Sequence, residues 1–83
     1  RARCVTLHSL VEQYRKQHRI TKKELCEVLQ IGVTQLASLR RGGKRVLPDA
    51  LRAVCAVVRV PPAAVEWDEV RLCYVVPFAA LPD

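Results

Sequence analysis

The sequence contains no CxxC pair, no glycine-rich loop after a strand, and no two carboxylates spaced for acid–base work. Each absence removes a class of chemistry. The four cysteines, Cys4, Cys26, Cys55 and Cys73, are scattered, and His8 and His18 do not complete a zinc-type spacing with them. No metal and no cofactor are therefore expected. Cys26 and Cys55 fall on the apolar stripes of expected helices, where cysteine serves as a small hydrophobe in a reducing cytoplasm. With no nucleophile–histidine arrangement and no nucleotide cradle, an enzyme is not expected. No apolar run approaches the roughly 20 residues of a membrane span. The opening Arg1-Ala2-Arg3 is not the apolar stretch of a signal peptide, and a longer parent protein is left open by the missing Met.

What is present is a lopsided charge on a chain sized for one domain. Its 83 residues are 51% hydrophobic and 27% charged, which suits a single modest core. The net charge is +6, but residues 1–45 hold eleven Lys and Arg against three Glu, a balance of +8. Residues 46–83 hold three Arg against five acids, a balance of −2. A basic half joined to a mildly acidic half turns one face toward a polyanion, with an ordinary solvated basic surface as the plain alternative.

Hydrophobic spacing predicts helices. Leu7, Leu10, Val11, Tyr14 and His18 share one face of a first helix over Thr6–His18, with Thr6 and Ser9 as capping chemistry. Thr21 and Glu24 have the capping-box spacing, with Ile20 and Leu25 as a staple, and open a second helix over residues 22–29 whose inward face is Leu25, Cys26, Val28 and Leu29. After Gln30-Ile31-Gly32 a third helix is expected over Val33–Arg41, stopped by Gly42-Gly43. Its long apolar residues are Leu36 and Leu39, so Thr34, Ala37, Ser38 and Arg41 lie opposite. Short side chains there let the helix backbone come close to another molecule. Pro48-Asp49 opens a fourth helix to Val58, with Leu47, Leu51, Val54, Cys55 and Val58 as its stripe, and Pro62 a short fifth through Glu66. Val70–Val76 reads as one strand without a partner: an arm over the helices, or a pairing surface for a second copy.

TKKELCEVLQ, IGVTQLASLRRG and LPDALRAVCAVVRVPPAAV, in that order and spacing, resemble the helix-turn-helix domains of the Xre or lambda repressor/Cro type from Leu7 to Val65. The fold class this implies is mainly all-α: a compact bundle of five short helices in residues 1–69, with 70–83 as a C-terminal strand or arm, for dimerisation or as a linker to a further domain. The function it implies is sequence-specific binding of double-stranded DNA as a homodimer by a bacterial or phage-encoded cytoplasmic regulator, typically a repressor, with no membrane partner. By family position, Val33, Thr34, Gln35 and Ser38 would read bases. Lys22, Gly32, Arg40, Arg41, Lys44 and Arg45 would hold the DNA backbone. Val70, Leu72, Tyr74 and Val76 would meet a second copy or another protein. The other reading is an antitoxin-like or coactivator-like interaction module that docks a protein through residues 70–83.

The chain departs from the family pattern at two places that bear on the site. Gln30 stands where most members carry a glycine with positive φ, so either Gln30 takes that conformation at about 1 kcal/mol or the turn shifts and the third helix starts later. Arg15 and Arg40 stand where many members pair Arg with Glu, so either Glu12 serves one of them or both face phosphate.

Overall fold

A computed structural model describes residues 3–41 and 45–82. Four α-helices and a small sheet follow in the order β1 (Cys4–Thr6), α1 (Leu7–His18), α2 (Lys22–Leu29), α3 (Val33–Arg41), α4 (Pro48–Val58), β2 (Glu66–Asp68) and β3 (Cys73–Pro77). The expected fifth helix is only a single 3-10 turn over Pro62–Ala64, and a second such turn covers Phe78–Ala80. The all-α expectation is corrected accordingly: the chain is mostly helical with a three-stranded antiparallel sheet.

Local chemistry explains the helix limits. Thr21 and Glu24 form the full capping box, with Glu24 N donating to Thr21 Oγ1 at 3.1 Å and Thr21 N to Glu24 Oε1 at 2.8 Å. At α1 the outcome differs. Thr6 sits at the cap position, but its hydroxyl bonds Ser9 Oγ at 2.6 Å and makes no bond to the helix backbone. Pro48 and Asp49 occupy the first turn of α4.

Three helices end on a left-handed residue that is not glycine: Arg19 (φ 53°), Gln30 (φ 56°) and Arg59 (φ 62°). In each, the next amide reaches back to a carbonyl of the last turn: Ile20 to Arg15 at 3.2 Å, Ile31 to Cys26 at 3.1 Å, and Val60 to Cys55 at 2.9 Å. Those next residues are all apolar and pack on the core. The bond and the apolar contact together offset the left-handed cost of about 1 kcal/mol.

The sheet has the order β1-β3-β2, with Val5 opposite Val76 and Trp67 opposite Tyr74. The C-terminal strand is thus the central strand, hydrogen-bonded on both edges within one chain. The expected unpartnered arm is corrected on this point. Its alternation is clear: Tyr74 and Val76 are buried while Cys73, Val75 and Pro77 are half-buried. The core joins Leu7 and Val11 of α1, Leu25 and Leu29 of α2, Leu36 and Leu39 of α3, Val54 of α4 and Val76 of β3. Fully burying such side chains contributes about 1.5–3 kcal/mol each. Val28 and Leu47, expected on inward stripes, are exposed instead.

Candidate nucleic-acid interface

α3 is held from behind and open in front. Leu36 and Leu39 are buried against the core, and α3 packs on α1, α2 and β3. Its nine residues span about 13 Å. Thr34 and Arg41 are exposed on the outer face, with Ala37 and Ser38 half-buried beside them. Val33 projects at its leading end, 71% exposed. Gln30 keeps the left-handed conformation, and α3 begins at Val33, so the turn does not shift. Gly32 needs no glycine for the fold: an added Cβ there would meet nothing within 4 Å. Its carbonyl accepts from Leu36 N at 3.2 Å, and its surface is exposed.

Gln35 occupies a different place from the one expected of a base reader. Its Oε1 accepts a hydrogen bond from Leu47 N at 3.1 Å, tying α3 to the segment that leads into α4. That acceptor is committed within the protein. The same segment is anchored again by Val46 N, which donates to the Tyr74 hydroxyl at 3.1 Å in a buried setting. Trp67 meets the Tyr74 ring edge-on at 4.9 Å, and the Arg45 guanidinium lies 5.3 Å over Trp67. Arg45 also pairs with Glu69 at 3.2 Å, both well exposed. Arg45 is therefore engaged with the β2–β3 hairpin, though an exposed pair of this kind is weak enough to be exchanged. Lys44 lies outside the described residues, with Gly42 and Gly43.

Glu12 organises the flank of α3. Its Oε1 accepts from Arg15 Nε and Nη2 at 3.3 and 3.1 Å, and its Oε2 lies 3.4 Å from Arg40 Nε without an aligned hydrogen bond. One carboxylate thus serves both arginines of the like-charged pair. Arg15 Nη1 further donates to the Ile20 carbonyl at 3.2 Å, joining the α1–α2 turn. Partial burial pushes the Glu12 pKa up, but the Arg15 hydrogen bonds and the charges of Arg15, Arg40 and Lys22 outweigh it and hold the carboxyl below its ordinary value. Lys22, at the exposed start of α2, is therefore part of the same electrostatic neighbourhood.

No family model matches the chain, and no curated protein or solved structure matches it.

The residues expected to meet a partner divide into two sets. Tyr74 and Val76 belong to the core and cannot meet a second copy; Val70 and Leu72 lie exposed in the hairpin loop, Val70 at 92%. Pairing through the edge of β3 is excluded because both edges are occupied. Among the described residues no helix is long and apolar enough to cross a membrane, and no three His, Cys, Asp or Glu cluster as metal ligands. Among the same residues Lys22, Lys23 and Arg41 make no ion pair. A helix with a short-chained outer face, an exposed arginine at its end and unpaired lysines on the neighbouring helix can dock against a polyanion.

Proposed function

We propose that the protein binds double-stranded DNA sequence-specifically, with α3 in the major groove. One observation carries this reading: α3 turns Thr34, Ala37, Ser38 and Arg41 outward while Leu36 and Leu39 lock its other side into the core. A helix about 10–12 Å across with its side chains is admitted by a groove about 12 Å wide, and short outer side chains bring its backbone close to the base edges. Thr34 and Ser38 would read base edges, and the Val33 methyls would meet a thymine methyl. Arg41, Lys22 and Arg40 would lie toward phosphates, which fix the register of the protein on the duplex without specifying sequence. Gln35 contributes by holding the entry to α4, with its amide nitrogen free to donate to DNA. The likeness to Xre and lambda repressor/Cro domains supports a transcriptional regulator that occupies its operator as a pair of copies and represses by excluding polymerase. With β3 paired inside the chain, the two copies would meet through surfaces such as the exposed Val70, Leu72 and Phe78.

Selection of bound duplexes from a random pool, repeated at two salt concentrations, tests this. A recovered consensus whose affinity drops as salt rises is the expected result, and a palindromic consensus would reveal the pair of copies. Recovery of the starting pool without enrichment would overturn the reading.

A further inference from the structure

Between the first turns of α1 and the last turns of α3 lies an open groove of about 420 Å³, lined by His8, Glu12, Ala37, Arg40 and Arg41. His8 and Glu12 are four apart in α1 and so share one helical face. Ala37 and Arg41 bear the same relation in α3, and the methyl of Ala37 leaves the space between the two helices open. The only acid lining the groove is ion-paired with two arginines. Glu12 Oε1 takes both Arg15 contacts, and its Oε2 is buried against Arg40 Nε. Arg40 engages Glu12 through Nε, and its terminal Nη groups make no hydrogen bond among the described residues. Arg41 has no ion pair among them and is exposed. The groove therefore offers two guanidinium groups and an imidazole against one compensated carboxylate.

We propose that this groove is a phosphate-binding site, in which Arg41 and the Nη groups of Arg40 supply the charge and a ring N–H of His8 supplies a third donor. Planar guanidinium groups match the oxygens of a phosphate, and a half-buried imidazole beside them adds direction. The proposal deepens the DNA-binding reading and, for its natural ligand, rests on it. A helix seated in the major groove has a phosphate backbone along each flank, and this groove lines the α1 flank of α3. Its ligand would be a backbone phosphodiester, and free phosphate shares the same chemistry.

Two arms test the site. In the first, the full chain is titrated with inorganic phosphate at constant ionic strength and pH, following the His8 ring and the Arg40 and Arg41 Nε resonances by NMR, with acetate and chloride as controls. Saturable shifts are expected with phosphate alone. His8→Gln and Arg41→Gln should each weaken them about tenfold, the worth of one charge-assisted hydrogen bond. Arg52→Gln, on α4 and outside the groove lining, should leave them unchanged. Equal shifts from acetate or chloride, or wild-type affinity in both groove variants whose backbone spectra match the native one, would overturn the site.

In the second arm the same variants are measured on duplex DNA. A similar loss on every duplex sequence assigns the groove to backbone phosphodiester. Duplex binding without a phosphate response removes this site and leaves the DNA reading intact. A phosphate response without duplex binding keeps the site for free phosphate and removes the DNA reading.

Discussion

Gln30 and Thr34 represent two kinds of residue in the turn and helix of the candidate interface, one structural and one outward-facing. Gln30 stands in the left-handed region at φ 56° with ordinary helix closure around it. Replacing it with glycine removes the Cβ conflict, partly offset by the greater freedom of glycine in the unfolded chain. Gln30→Gly is expected to stabilise by about 0.5–1 kcal/mol, raising the melting temperature by a few degrees. A calorimetric midpoint equal to or below that of the wild type would contradict this. Thr34 and Ser38 present hydroxyls on the open face of α3 and carry no core contact that needs them. Thr34→Ala and Ser38→Ala are expected to leave stability nearly unchanged while relaxing preference at particular base pairs by about 1–3 kcal/mol. Identical consensus sequences for wild type and both variants would remove these residues from base reading. The hydroxyl positions were legible from helical spacing. The fate of Gln35 was not, because its partner Leu47 N lies on a different element.

Among elements, the decisive relation is how α1 grips α3. Glu12 ties Arg15 on its own helix to Arg40 on α3, and its carboxyl is held below its ordinary value by those charges. A carboxyl whose pKa is lower folded than unfolded contributes stability above its unfolded pKa and loses it as pH falls through the folded value. The clamp should therefore be intact at neutral pH and released only below the ordinary carboxylate range. Glu12→Gln is expected to lower stability at pH 7 by about 1 kcal/mol, since the groups are partly exposed. It should also flatten the acid limb of stability against pH. A variant with the same acid limb as wild type would show that other carboxylates set it. The need for a counterion to Arg15 and Arg40 was readable in the sequence. That one acid serves both follows only from the crossing of the two helices.

For the whole molecule, the C-terminal segment is part of the core. Val76 is fully buried, β3 is paired on both sides, and the Tyr74 hydroxyl receives the Val46 amide. Removing residues 70–83 is thus expected to abolish cooperative thermal unfolding, since it uncovers α1 and leaves β1 and β2 without a partner. A truncated chain that still melts cooperatively would show that the helices suffice. Tyr74→Phe is the milder probe. It leaves the ring in place and strips a buried amide of its partner, at about 1–3 kcal/mol. Its melting temperature should fall by several degrees per kcal/mol. Duplex affinity should fall with it if the segment leading into α4 positions α3.

The four helices, the capping box, the Pro-Asp start of α4 and the outward face of α3 were all set by the sequence itself, because helix periodicity and capping act within a few residues. The strands β1 and β2 were not, since three-residue segments carry no readable alternation, and Cys4 meets Pro77 only after the whole chain has folded back. The tertiary structure alone decided that β3 is internal, that Glu12 pairs with two arginines, and that Gln35 and Arg45 hold neighbouring segments. Those outcomes depend on which elements cross. Contacts between residues far apart in the chain form only when burial of the shared core brings them together.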